Sequence, residues 1–151
     1  MIQRKQTLYL LLSIIVSVVC VCMPVGLIEP KGMGVQTMLW NFCAVGPNGT
    51  MSFGNWPLFG LLVVTIPMEL AAIFLYRNRK LQIKLCTWSI IFCLAWCVYY
   101  AFSAFNTFQM NGIFHVQFAA CLPLVSAISL VLARRGIVHD EKLVKSADRI
   151  R

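Results

Sequence analysis

Acidic residues are scarce in this 151-residue chain: five Asp and Glu stand against 13 Lys and Arg, and charged residues of both signs make up only 12%. Soluble domains typically carry about 25% charged residues, so the composition argues against a water-solvated globule. Histidine is scarcer still. His115 and His139 fall on opposite sides of the topology derived below, so they supply no facing pair for bis-His haem. The sequence has no metal-ligand cluster of adequate spacing, no phosphate loop and no Ser-His or Cys-His signature with interpretable context. Of its seven cysteines none forms a Cys-x-x-Cys motif; Cys20-Val21-Cys22 is too short, and residues 106–112 contain no Cys. A disulfide-generating membrane enzyme needs such a motif, which leaves a membrane thiol oxidoreductase as a minor alternative. No cofactor and no metal are expected, and the chain is not expected to be an enzyme.

What the chain has is hydrophobic residues, 60% of the total. They gather in four runs, at about 7–28, 56–76, 85–105 and 113–133. Each would be about 30 Å long as a helix, the thickness of a bilayer's hydrocarbon layer, and lipid demands that backbone polar groups be satisfied within the segment. Only Glu69 brings a formal charge into these runs. The first run follows Arg4 and Lys5 as a signal peptide would, but at about 22 residues it exceeds the roughly 7–15 of a signal core. Its exit, Cys22-Met23-Pro24-Val25-Gly26, has no cleavage site. A retained helix is expected.

Positive charge orients the runs. Arg4 and Lys5 precede the first; Arg77, Arg79, Lys80 and Lys84 lie between the second and third; Arg134, Arg135, Lys142, Lys145, Arg149 and Arg151 follow the fourth. Lys31 alone falls on the other side. By the positive-inside rule both termini and the middle turn are cytoplasmic. The net charge of +8 is thereby explained by topology and by attraction to anionic headgroups, about 1 kcal/mol per basic residue, without a nucleic-acid partner.

Two segments lie outside the runs. In residues 29–55, an apolar stretch to Val45 is followed by Gly46-Pro47-Asn48-Gly49, a dense turn signal, and then by residues that could pair back. A small β-hairpin on the outer face is expected. The tail, 134–151, reads as a short amphipathic helix, with Asp140 as N-cap. Leu143, Val144, Ala147 and Ile150 are its apolar face, opposite Lys142, Lys145, Arg149 and Arg151. The expected fold is thus an all-α membrane protein: one four-transmembrane-helix bundle with a small outer hairpin and a C-terminal amphipathic cytoplasmic helix.

Three residues are polar candidates within the membrane: Glu69, His115 and Gln117. Glu69 sits about 10 Å inside Arg77. An ionised carboxylate at that depth costs a few kcal/mol, so it must be protonated, paired or facing water. It is either a proton or cation site, or a carboxyl bonded to polar groups of the third and fourth helices or to a basic residue. Pro67 nearby deprives the Val63 carbonyl of its helix donor. His115 reads as an interfacial residue bonded to the outer hairpin. Cys93, Cys97 and Ala101 recur at four-residue spacing, a small-residue stripe of the kind that lets membrane helices approach.

Three segments carry a family resemblance: Met1-Ile2-Gln3-Arg4-Lys5-Gln6-Thr7-Leu8-Tyr9-Leu10-Leu11-Leu12, Arg77-Asn78-Arg79-Lys80-Leu81-Gln82-Ile83-Lys84-Leu85-Cys86, and the tail from Asp140 to Arg151. Together they resemble the four-helix membrane family known as domain of unknown function 4293, of the Bacteroidota. The resemblance implies a bacterial inner-membrane location and no established activity. All three segments fall on the cytoplasmic side. Lipid and partner contacts are therefore expected there, from Arg77, Arg79, Lys80, Arg134, Arg135 and the tail residues Lys142 to Arg151 named above. The first expectation for function is a non-enzymatic accessory or scaffold subunit of an inner-membrane complex, contacting a protein partner in the membrane or at its cytoplasmic face; homo-oligomers are open. The alternative is a small oligomeric ion- or proton-coupled transporter using Glu69.

Overall fold

Among the described residues, each of four α-helices buries one stripe at alternating spacings of three and four residues, and the stripes face one another. The computed structural model describes residues 3–30, 32, 34–46, 49–76, 78–108 and 112–148, excepting the side chains of residues 3–5, 107, 108, 145, 147 and 148. In chain order the helices are α1 (Gln3–Cys22), α2 (Trp56–Phe74), α3 (Arg79–Ser103) and α4 (Leu122–Asp148). α1 packs chiefly on α4, α4 on α3, α3 on α2 and α2 on α1, which closes a ring of antiparallel neighbours. The buried stripes are Gln6-Leu10-Ser13-Ser17-Cys20, Leu58-Leu62-Thr65-Glu69-Ala72, Gln82-Cys86-Ser89-Cys93-Trp96-Tyr100 and Ser126-Leu130-Ala133-Ile137-Asp140. This spacing is that of left-handed helix bundles.

The stripes are rich in small and polar side chains, whereas the large apolar ones point outward. Leu8, Leu11, Ile15, Phe74, Val98 and Ile128 are all exposed. In water this distribution would be unstable, since burial of apolar surface is the main favourable term in folding. In lipid it is the expected one, because small residues and hydrogen bonds hold membrane helices together. Three helical stretches are long and apolar enough to cross a membrane: Trp56–Phe74, Arg79–Asn106 and Phe118–Val144. The apolar part of α1, Gln6–Cys22, is shorter.

At one end the bundle carries a five-stranded antiparallel sheet, β1 (Gly26–Glu29), β2 (Thr37–Leu39), β3 (Ala44–Val45), β4 (Met51–Ser52) and β5 (Ile113–Val116), in the order β4-β3-β2-β1-β5. β1 pairs with β2 through Gly26↔Leu39 and with β5 through Leu27↔His115. Gly112 makes the second pairing possible: a Cβ there would lie 2.1 Å from the Glu29 carbonyl oxygen. The expected turn closes β3 on β4, with Gly46 N donating to Thr50 O at 2.9 Å and Gly49 at φ +71°. Pro47 and Asn48 of that turn lie outside the described residues.

Several expectations are corrected. The molecule is not an all-α bundle with a small hairpin: the hairpin is the β3–β4 edge of a five-stranded sheet that joins residues 26–52 to residues 113–116. Run 7–28 stops being helical at Cys22, because Pro24 cannot continue the helix ladder and residues 26–29 become β1. Run 113–133 is not one helix. It comprises β5, a 3₁₀ turn (Phe118–Cys121) and the start of α4. The tail is not a separate helix either. α4 runs unbroken through Arg134-Arg135-Gly136, and Asp140, expected as an N-cap, is buried within it. Gly136 serves packing rather than helix termination; a Cβ on it would meet Gln6 Cγ at 3.0 Å.

Candidate functional site

Glu69 lies at the middle of the bundle, 1% exposed, and neither of its carboxyl oxygens has a hydrogen-bond partner among the described residues. Its stripe on α2 places it one turn from Thr65, whose hydroxyl donates to the Leu62 carbonyl at 2.7 Å, and one turn from Ala72. The helices facing it contribute hydroxyls and thiols. Ser13 of α1 lies close enough to interact with the carboxyl, and Glu69 acts electrostatically on Cys86 and Cys93 of α3. Ser13 is itself engaged with Ser126 of α4 at 2.7 Å, which also meets Ser17 at 3.1 Å and the Cys93 thiol at 3.8 Å. Ser89, buried between Cys86 and Cys93 on the α3 stripe, has no partner for its hydroxyl among the described residues.

All four helices therefore build one polar layer inside apolar walls. The serines of α1 and α4 satisfy one another, Thr65 bonds to main chain, and Ser13 alone approaches the carboxyl. A buried polar group without a partner costs about 1–3 kcal/mol, and more for a charge. Chemically, such a layer can bind and release a proton. It is poorly equipped for a hard cation, which takes six or more oxygen ligands, since the site offers one carboxyl and a few hydroxyls already bonded elsewhere. Among the described residues no group of three or more His, Cys, Asp or Glu could hold a metal ion.

A second polar layer closes the basic end. Gln6 Nε2 donates to Asp140 Oδ2, and Arg79 Nη1 donates to the Asp140 main-chain oxygen at 3.1 Å. A third layer joins the bundle to the sheet. Asn41, fully buried, donates from Nδ2 to the Cys20 carbonyl at 2.7 Å and accepts from Trp96 Nε1 at 3.1 Å. Tyr100 donates to the Val25 carbonyl at 2.6 Å. Neither the second nor the third layer was expected from the sequence. Only the heptad-like placement of Gln6, Gln82 and Asp140 on the buried stripes could have disclosed the second.

The other candidates are dispersed. His115 lies in β5, not in a helix; its Nε2 is 3.4 Å from Glu29 Oε2 on the exposed sheet surface. Gln117 follows β5, with its main-chain N–H donating to Val25 O at 3.2 Å. Neither lies in a helix, since residues 113–116 form β5 and Gln117 follows it. The expected Cys93-Cys97-Ala101 stripe is buried only at Cys93, and Ala101 is exposed, since the inward repeat alternates three and four. All seven cysteines are free thiols.

At the basic end, Arg134, Arg135, His139 and Lys142 surround a shallow recess on α4, Lys80 is exposed and Arg79 is half-buried. Leu143 and Val144 are exposed. Arg77, Arg149, Ile150 and Arg151 lie outside the described residues, as do the side chains of Lys145 and Ala147.

Apolar exterior, polar seam and membrane-length helices define a membrane protein, a sheet-capped helical bundle. The chain belongs to the family described as Domain of unknown function (DUF4293), whose model matches residues 2–150. No curated protein matches it.

Proposed function

We propose that this is a small ion- or proton-coupled membrane carrier whose working group is the carboxyl of Glu69, with the proton as the coupling ion. The observation that carries this reading is the unpartnered state of Glu69. A structural role would call for a bonded carboxyl, by way of polar groups on α3 and α4 or a basic side chain. Instead Ser13 and Ser17 bond to Ser126, and Thr65 to main chain, so that Ser13 alone approaches the carboxyl and neither carboxyl oxygen has a hydrogen bond of good geometry among the described residues. Intramembrane carboxyls that persist in this condition mark proton and ion pathways.

Orientation and location belong to the same proposal: a bacterial inner membrane, with both termini and the α2–α3 turn in the cytoplasm. The gathering of basic residues at one end of the bundle supports it.

The test is covalent modification by dicyclohexylcarbodiimide, an apolar reagent that attacks protonated carboxyls in membranes. The full chain in lipid vesicles is expected to be modified at Glu69, increasingly as pH falls, and Glu69→Gln to be inert while keeping its helix content. Absence of modification across the whole pH range sinks the carrier reading.

A second reading, the accessory or scaffold subunit, is favoured by one specific feature. α4 continues past the basic residues Arg134 and Arg135 and presents Leu143 and Val144 to the surroundings beside the basic recess. Its test is truncation after Lys142, which spares the buried Asp140. Loss of a stoichiometric partner from mild-detergent extracts supports it, and an unchanged pull-down counts against it.

A further inference from the structure

Asp140 is only 8% exposed, and the structure engages it incompletely. Oδ2 accepts from Gln6 and the main-chain oxygen from Arg79, but Oδ1 has no partner among the described residues. Beside it lies a cavity of about 20 Å³, bordered by Gln6, Thr7, Tyr76, Arg79, Gln82 and Asp140, with Ile137 as its apolar wall. A polar cavity of that size admits one water, which needs two to four polar partners, and this one offers them. The titratable groups that border it are Tyr76 from the turn after α2, Arg79 from α3 and Asp140 from α4; α1 contributes the neutral Gln6 and Thr7. The Arg79 guanidinium makes the cavity a poor place for a metal cation, so water and its proton are the ligands that fit.

The cavity stands close to Glu69. Gln6, which borders the cavity, and Ser13, which approaches the Glu69 carboxyl, are seven residues apart on α1, about 10 Å along the axis. One apolar layer lies between them. α2 offers Ala72, α4 Ala133 and α3 Cys86; the larger barriers are Leu10 of α1 and Ile137 of α4, all in one apolar cluster. Passage from the opposite end is longer and closed, by the sheet, by Asn41 and by Trp96 stacked on Tyr100 at 5.0 Å.

We propose that Asp140 and its cavity are the port through which protons pass between water at the basic end and Glu69, with Leu10 as the barrier between them. In the inward step the Asp140 carboxylate takes a proton from hydronium and leaves water. The proton then crosses the Leu10 layer over water to the Glu69 carboxylate, and Asp140 is ionised again. This inference rests on Glu69 exchanging protons.

Infrared spectroscopy of the full chain in lipid nanodiscs tests it. The carboxylic acid stretch of protonated Glu69, identified by its loss in Glu69→Gln, shifts on transfer to D₂O at a rate that reports proton exchange. Asp140→Asn, which keeps an acceptor for Gln6, is expected to slow that shift by about a hundredfold, the range of a positioned proton-transfer group. Leu10→Ala is expected to accelerate it, and the double variant to be as slow as Asp140→Asn alone. An unchanged rate in Asp140→Asn overturns the port while leaving the carrier reading intact. Absence of any Glu69 band overturns both. If Asp140→Asn loses helix content, the Leu10 series decides: faster exchange in Leu10→Ala and slower in Leu10→Phe supports the port, and equal rates overturn it.

Discussion

Trp96 donates its indole N–H to the Asn41 carbonyl oxygen at 3.1 Å, and both side chains are fully buried where the sheet meets the bundle. Asn41 also holds the Cys20 carbonyl, one of the α1 carbonyls that a helix end leaves without an internal partner. One amide thus ties α1, α3 and the sheet together. Asn41→Leu strands the Trp96 donor and the Cys20 acceptor, and is expected to destabilise the protein by about 1–3 kcal/mol. Trp96→Phe, which keeps an aromatic ring to stack on Tyr100, should cost less. Reversible unfolding in mixed micelles, followed by circular dichroism, checks the order; equal stability of wild type and Asn41→Leu refutes the account.

Gly112 allows β5 to reach β1, so a side chain there should undo the pairing. With its Cβ 2.1 Å from the Glu29 carbonyl, Gly112→Ala must displace backbone rather than a flexible side chain. Directly opposed residues of an antiparallel pair have Cα atoms about 4.5–5.5 Å apart, within disulfide range. Leu27→Cys with His115→Cys, in a background lacking the native thiols, is therefore expected to cross-link under mild oxidation, and the added Gly112→Ala to abolish the link. Retained cross-linking would show that β5 tolerates a Cβ at this point and that the close approach is not what selects glycine.

Much of the bundle was legible because lipid leaves a coarse signal. Long apolar runs bounded by Arg77, Arg79 and Arg134 locate three membrane-length helices with little dependence on detail. The sheet was hidden by the same coarseness. Ile113-Phe114-His115-Val116 joins the apolar stretch of α4 without a charge between, so hydropathy reads one segment. Its β-branched and aromatic residues, bounded by Gly112 and Gln117, were the local sign of a strand. Its partner β1 is more than 80 residues away, and single-sequence periodicity carries no long-range pairing. The site was half-visible. Glu69 is conspicuous as the one charge in an apolar run, whereas the serines around it look ordinary until the three-and-four spacing is traced through every helix. Asp140 misled because a carboxylate before Glu141 and Lys142 resembles a helix start, and only tertiary packing shows it buried.

Ser126 bridges Ser13 and Ser17 and meets the Cys93 thiol, so its removal should be felt by three helices. The magnitude expected is nevertheless small. Hydrogen bonds between membrane helices average about 0.6 kcal/mol, because the unfolded state in lipid also finds partners. Ser126→Ala should thus cost about that much, while Ser126→Leu, which forces bulk into a layer of small side chains, should cost about 1–3 kcal/mol. A large loss from the alanine variant, measured as the change in unfolding free energy in mixed micelles, would mean that the hydroxyl does more than join α1 to α4.

Glu69 separates stability from function most clearly. If its carboxyl is unpartnered in the folded protein, the group is a net cost, and an apolar residue of similar bulk should relieve it. Glu69→Leu is therefore expected to raise stability by about 1–3 kcal/mol, the penalty of a buried unsatisfied polar group, while abolishing carbodiimide modification. Glu69→Gln should do the second without the first, since the amide inherits the same lack of partners. The comparison discriminates sharply. A carboxyl engaged in a buried pair would leave its partner stranded on substitution, and Glu69→Leu would then lose about 3–5 kcal/mol. Unfolding midpoints of wild type, Glu69→Gln and Glu69→Leu in the same mixed micelles decide between the two, and a destabilised leucine variant would remove the physical basis for reading Glu69 as a working group.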